Sequence, residues 1–270
     1  MKTRQEKMSK KLIALLETKK EKGEKLLSIF ITAGFPDPDA CVEIILILAE
    51  AGIDFLELGL PFSDPIADGP VIQSVSQQVL EQGFEIAQIF DIVQQVRKCS
   101  PIPILIMGYL NPLFHMGIPA FLKRTHSAGA DGLIIPDWPP EESLNYLPLL
   151  QSLDLDLIHL IAPNTPRARI REIDALTTAF LYCVAYTGVT GRSNQMPADT
   201  RNFFCQLKKN VVKPLIIGFG VKNREEFINF SQYADGVIIG SAFLELIKRT
   251  DPGERKNAVE KFVQSVLSKR

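Results

Sequence analysis

The sequence predicts an α/β fold, a single-domain (β/α)8 TIM barrel with an extra N-terminal helix. Three observations carry that expectation. Eight short apolar runs alternate with amphipathic helical stretches along the chain. The runs are apolar on both faces, as parallel strands covered by helices are. The length, 270 residues, suits eight such units closed into a barrel better than an open doubly wound sheet. No linker or shift in composition divides the chain, so one domain over 1–270 is expected, with the extra helix within 1–24.

Each element follows from local pattern. In the N-terminal stretch Leu12, Leu15 and Leu16 share one helical face with Ile13 beside them, an arrangement suited to covering the bottom of a barrel. The first apolar run, 27–32, is stopped by Ala33-Gly34 and Pro36. A helix over 37–50 follows, with Asp39 as its cap and a stripe of Val42, Ile45, Leu46 and Ala49. The second run, 53–59, leads through a long loop to helices over 72–82 and 85–98. The third, 102–109, has Pro103 near its start, where a strand tolerates proline. A helix over 119–128 precedes the fourth run, 132–136. Residues 140–153 read as one helix, opened by Pro140 with Glu141 and Glu142 placed against the dipole. The fifth run, 155–162, ends at Pro163-Asn164, and its helix spans 166–177. The sixth, 180–185, is followed by a turn-rich loop, 187–197, and a helix over 198–209. The seventh run, 214–218, a helix over 223–230 and the eighth run, 236–240, complete the rhythm. A terminal helix runs from 242 to the end, broken near Asp251-Pro252-Gly253.

Composition excludes several classes. With 30 Lys and Arg against 31 Asp and Glu the net charge is −1, so no global nucleic-acid or acidic-substrate signature exists. No apolar run has transmembrane length, and the charged N-terminus lacks the continuous apolar core of a signal peptide. Cys41, Cys99, Cys183 and Cys205 have no metal-ligand spacing and read as buried or half-buried free thiols of a reducing cytosol. His115, His126 and His159 show no paired spacing either, so no metal site is expected.

The densest chemistry lies in LELGLPFSDPIADGP, residues 56–70. It starts in an apolar strand with Glu57 and turns through Pro61, Asp64-Pro65 and Gly69-Pro70, carrying Ser63, Asp64 and Asp68 into a loop. A carboxyl buried on a strand is raised in pKa, while one on a wet loop stays ionised, so Glu57 and Asp68 divide acid and base roles over one substrate. Asp64 reads first as a turn former or helix cap. Barrel sites lie at the C-terminal ends of strands, and their phosphate sites often follow the last two. Gly220, Gly240 and Ser241 occupy those places, and Thr190 and Gly191 follow the sixth run. Each glycine alone is commonly a turn residue, but turns of this kind on consecutive strands point to a phosphate cup, where backbone N–H groups and a helix N-terminus meet an anion. Phe30, Met107, Tyr109, Ile161 and Phe219 are candidates for an apolar wall between cup and carboxylates.

These residues resemble the α subunit of tryptophan synthase. LELGLPFSDPIADGP is similar to that family's signature, and TAGFP (32–36), GVTG (188–191), GFGV (218–221) and DGVIIGSA (235–242) follow in the family's order. The resemblance covers roughly the whole chain. Other phosphate-binding barrels share the GFG and GSA endings but not the first signature. The resemblance implies retro-aldol cleavage of indole-3-glycerol phosphate to indole and glyceraldehyde 3-phosphate, without a cofactor in this chain. It implies Glu57 and Asp68 as the catalytic pair, with Tyr182 near the substrate. It also implies a partner, the tryptophan synthase β subunit carrying pyridoxal phosphate, in an α2β2 heterotetramer. Asp64, Pro65 and Asn111-Pro112-Leu113-Phe114 are read as exposed contact candidates, and the loops 61–70 and 187–197 as lids.

The sequence departs from the family's pattern at Ala185-Tyr186-Thr187, where a Ser is usual, and in Arg192-Ser193-Asn194-Gln195. That departure motivates a second reading, a weakly active α-like subunit that mainly activates a β subunit. A third, an isomerase or epimerase acting on a sugar phosphate, fits the cup but not the two carboxylates.

Overall fold

The computed structural model describes residues 10–184, 198–218 and 220–267. Helix α1, Lys10–Glu21, is followed by β1, Leu26–Thr32, then α2, Pro38–Ala51, and β2, Phe55–Gly59. Next come α3, Pro70–Glu81, α4, Ala87–Cys99, and β3, Ile104–Met107. Two helices, α5, Leu110–Met116, and α6, Ile118–Ala128, precede β4, Gly132–Ile134. Short helices α7, Pro140–Ser143, and α8, Leu147–Ser152, lead to β5, Asp156–Ile158, and β6, Leu160–Ile161. The remainder is α9, Arg167–Leu176; β7, Leu181–Val184; α10, Ala198–Asn210; β8, Leu215–Gly218; α11, Arg224–Ser231; β9, Gly236–Ile239; α12, Ser241–Arg249; and α13, Arg255–Leu267.

All strand pairs are parallel, in the order β5-β4-β3-β2-β1-β9-β8-β7-β6. The two edges of that sheet, β5 and β6, are consecutive pieces of one segment separated by His159, so the sheet curls into a TIM barrel. The single fifth run expected at 155–162 is therefore two short strands. At the break Thr177 Oγ1 accepts the His159 N–H at 3.1 Å, and the His159 carbonyl accepts the Tyr182 N–H at 3.1 Å. The first half pairs with β4 and the second with β7.

Three other expectations are corrected. The helix expected over 140–153 is interrupted by a 3-10 turn, Leu144–Tyr146, because Pro148 has no N–H to donate back to Leu144 and its ring crowds that carbonyl. Asp37, and not Asp39, caps α2, accepting the Ala40 N–H at 2.8 Å. Cys41 and Cys183 are buried, but Cys99 and Cys205 are exposed, since each sits on the outer face of a helix.

Every strand but the two-residue β6 is buried through most of its length, and one apolar cluster extends from Leu12 in α1 to Val266 in α13. The N-terminal ends of the strands are fastened by acids. Asp54 accepts the Leu27 N–H at 2.8 Å, Asp131 the Ile104 N–H at 2.9 Å, and Asp235 the Leu215 N–H at 2.8 Å. In each case the acid just before one strand holds the start of the strand beside it. Lys19 of α1 joins this end through a 2.8 Å ion pair with Asp54. That end serves stability, which leaves the opposite mouth for chemistry. Among the described residues no helix is long and apolar enough to cross a membrane.

Candidate active site

At the C-terminal mouth lies a cavity of about 600 Å³. Glu57 enters it from the middle of β2, in register with Phe30 on β1 and Leu105 on β3. Its side chain is fully buried, and neither carboxyl oxygen has a hydrogen-bond partner among the described residues. Burial pushes this carboxyl up to about 8, and the nearby Asp68 charge adds to the effect. Two residues further along the same strand face stands Gly59. A Cβ there would lie 2.3 Å from Cζ of Phe30, so the absence of a side chain lets that ring fold over the strand beside Glu57.

Asp68 comes from the loop between β2 and α3. Tyr109 Oη donates to Asp68 Oδ2 at 3.0 Å and accepts the Ala67 N–H at 3.0 Å. One phenol thus fixes both the carboxylate and the loop beneath it, while Asp68 Oδ1 has no partner among the described residues. Burial pushes Asp68 up to about 6, opposed by the Tyr109 bond. This corrects the expectation of a wet-loop acid near its ordinary value, because Asp68 is half-buried. The ordering of the two carboxyls survives: at neutral pH Glu57 holds its proton and Asp68 is mainly charged.

Tyr182, on β7, is buried and reaches the same cavity. Its hydroxyl passes over Gly218, where a Cβ would meet Oη at 1.9 Å. Burial, with the charges of Glu57 and Asp68, keeps that phenol well above its usual range. The glycine-rich end is formed by Gly220, at φ +86, and by Gly240 and Ser241 at the start of α12. No side chain caps α12, so its first N–H groups retain the anion-binding character of a helix N-terminus.

The cavity therefore gathers Glu57, Asp68, Tyr182, Gly220, Gly240, Ser241 and Phe30 from the sequence candidates. Thr190, Gly191 and Phe219 lie outside the described residues, as do Ala185-Tyr186-Thr187 and the expected 187–197 lid. Of the expected apolar wall, Phe30 and Met107 line the cavity. Tyr109 stands behind Asp68 as its hydrogen-bond partner, and Ile161 is packed into the core. Ala67, Gly69, Pro70 and Val221 also line it, as do Ile66, Ile72, Val184, Ile238 and Lys222. Sequence reasoning missed the last five. Ile66 and Lys222 lie within or directly after quoted motifs, whereas Ile72 and Val184 look like ordinary core positions. Among the described residues no cluster of three His, Cys, Asp or Glu side chains is placed to hold a metal.

The expected contact surface also changes. Asn111–Phe114 is not a loop but part of α5, whose Pro112 falls in the first turn where its missing N–H costs nothing. Pro112, Leu113 and Pro65 are buried, while Asp64, Asn111 and Phe114 are exposed. Ile66, 82% exposed, joins them at the mouth.

A family model described as tryptophan synthase alpha chain matches residues 16–269. The tryptophan synthase alpha chain of Alkaliphilus metalliredigens is 40% identical over 93% of this chain and 94% of its own. The solved tryptophan synthase subunit alpha of Legionella pneumophila superposes with a TM-score of 0.87 at 33% identity, over 95% of this chain and 96% of that one. A chain of the tryptophan synthase complex from Pyrococcus furiosus gives a TM-score of 0.82 at 32% identity, over 90% and 98%.

Proposed function

The chain belongs to the tryptophan synthase alpha chain family, and on that premise we infer that it works as the lyase subunit of tryptophan synthase. It cleaves indole-3-glycerol phosphate to indole and glyceraldehyde 3-phosphate, a step of tryptophan biosynthesis. We assign the chemistry to Glu57 and Asp68. The observation that carries this is their convergence on one cavity that Gly220, Gly240 and Ser241 also line. A ligand with an indole body and a phosphate tail matches both sets of residues.

The reaction requires a proton at indole C3, loss of the proton from the adjacent side-chain hydroxyl, and a partner for the indole nitrogen as it becomes positive. Glu57, held protonated near neutrality, donates to C3. The carboxylate so formed takes the hydroxyl proton as the C–C bond breaks. That bond's electron pair returns to the indole ring, and the former alcohol carbon becomes the aldehyde. Asp68, ionised and fixed by Tyr109, accepts the indole N–H through Oδ1. Each of these contributions is on the order of 10²–10⁴-fold. The apolar cover of Phe30, Met107 and Ile72 keeps water from the pair and strengthens both interactions. Gly220, Gly240 and Ser241 hold the phosphate through backbone N–H groups and a hydroxyl. Tyr182 bounds the same cavity, and we assign Thr190, Gly191 and Phe219 to the same substrate site.

The partner is the β subunit of tryptophan synthase, in an α2β2 assembly, and the related Pyrococcus furiosus complex supports that reading. The pyridoxal phosphate of the assembly belongs to the β subunit, while the cleavage step uses side chains of this chain. Ile66, Asp64, Asn111 and Phe114 form the exposed rim of the mouth and suit that contact. We place the enzyme in the cytoplasm, in keeping with its unpaired cysteines. The reading as mainly an activator is not favoured, because both carboxyls and the cup meet in a formed cavity.

Two measurements test the function. Spectroscopic indole release from indole-3-glycerol phosphate, with the β subunit present, is expected. Indolepropanol phosphate should raise the melting temperature while ribulose 5-phosphate does not. Stabilisation by ribulose 5-phosphate with no indole release would point to a sugar-phosphate isomerase or epimerase.

A further inference from the structure

Among the described residues three charged side chains line the cavity: Glu57, Asp68 and Lys222. The two acids act on the indole end. Lys222 lies two residues after Gly220 and so starts beside the glycine cup. Its main chain is firmly placed, since its N–H donates to Glu226 Oε2 at 2.6 Å. Asn223, the next residue, caps α11 by accepting the Glu226 N–H at 3.0 Å. This reciprocal cap fixes where the lysine begins and keeps it outside the helix.

Among the described residues the Lys222 ammonium makes no hydrogen bond or ion pair. Among the described residues no carboxylate lies within ion-pair distance of it. Glu226, its near neighbour in sequence, already accepts a backbone N–H. Nor does Lys222 compensate the catalytic acids: Glu57 is moved by burial and Asp68, and Asp68 by burial and the Tyr109 bond. A helix N-terminus offers a partial charge of about half a unit, against roughly 1.5–2 units on a phosphate monoester. A cup of backbone N–H groups facing two acids leaves much of that charge uncompensated.

We propose that Lys222 is a phosphate-binding residue, whose ammonium reaches the phosphate of the substrate from the rim and supplies the full positive charge that the glycine cup lacks. The proposal rests on the reading of the cavity as an indole-3-glycerol phosphate site and deepens it. A lysine acts there as a flexible point charge. The phosphate takes no part in bond breaking, so its grip is equal in the ground and transition states and is felt in KM.

The test is steady-state indole release by the full chain with its β subunit, comparing wild type, Lys222→Gln and Lys222→Arg. Lys222→Gln is expected to raise KM for indole-3-glycerol phosphate by about 5- to 20-fold with a much smaller change in kcat. Lys222→Arg should recover most of the loss. Added salt should raise KM more steeply in the wild type than in Lys222→Gln. In parallel, inorganic phosphate should raise the melting temperature of the wild type more than that of the variant. Residue 222 serves the fold through its backbone N–H, so the variants are expected to fold, and Lys222→Met, which keeps the apolar stem, substitutes if Gln does not. A variant with wild-type KM, salt dependence and phosphate stabilisation would overturn the role of Lys222 while leaving the site intact. A wild type that neither releases indole nor responds to phosphate would overturn the site itself.

Discussion

At the scale of single residues, two carboxyls of similar intrinsic acidity are driven apart by where they sit. Glu57 is surrounded by apolar strand neighbours and held up at about 8, whereas Asp68 has a phenol donating to it and stays near 6. In the proposed mechanism Glu57 enters protonated, below about pH 8, and Asp68 enters ionised to hold the indole N–H, above about pH 6. A bell-shaped kcat/KM profile with limbs near those values follows, the two belonging to the pair because the groups interact. Tyr109→Phe removes the bond that lowers Asp68, so its acidic limb should move upward, with kcat reduced about tenfold. A profile unchanged in Tyr109→Phe would contradict the coupling. The same shift bears on stability. The folded protein keeps the Glu57 proton to about 8, while the unfolded chain releases it near 4.5. Between those values the folded state binds more protons, so stability falls as pH rises through the window and levels off above it. Glu57→Gln should therefore gain in melting temperature over the wild type as pH is raised from about 5 to 8. A gap that shrinks over that range would show that burial does not hold the proton.

At the scale of elements, strands β2, β7 and β8 give the mouth its shape through side chains and their absence. Gly218 on β8 makes room for the Tyr182 hydroxyl from β7. Gly218→Ala would force that ring aside, at a cost of about 1–3 kcal/mol. Reduced indole release together with a lower melting temperature is expected, and an unaffected variant would show that Tyr182 is not fixed there. At the opposite end Asp131 holds the start of β3 and pairs with Arg97, which also donates to the Gly129 and Ser100 carbonyls. Both side chains are largely buried. Asp131→Ala leaves that guanidinium unpaired and should destabilise the protein by about 3–5 kcal/mol in urea unfolding, with the mouth chemistry little changed in the folded fraction. A loss below about 1 kcal/mol would mean that the pair is exposed to water. Element by element, the sequence revealed the alternation because apolar periodicity is a local signal. It did not reveal the break at His159, which depends on the pairing of two distant strands, whereas the interruption at Pro148 is a local signal carried by the proline's missing N–H.

At the scale of the whole molecule, closure of the barrel is what turns scattered motifs into a site. Glu57 and the cup at Gly240 are distant in sequence but neighbour one another through β1, which pairs with both β2 and β9. That adjacency was legible, because strand ends in a closed barrel converge on one mouth. The degree of burial of Asp68 was not, since it depends on Tyr109 reaching over from the turn after β3. Lys222 was also missed: an exposed lysine after a glycine motif looks like any surface charge until the cavity is closed around it. The role that most needs testing is that of Glu57 as proton donor of the cleavage. The direct measurement is kcat for indole release by Glu57→Gln with the β subunit present, alongside its affinity for indolepropanol phosphate. A loss of about 10²–10⁴-fold in kcat with nearly unchanged affinity is the predicted result. Full turnover by Glu57→Gln would contradict it.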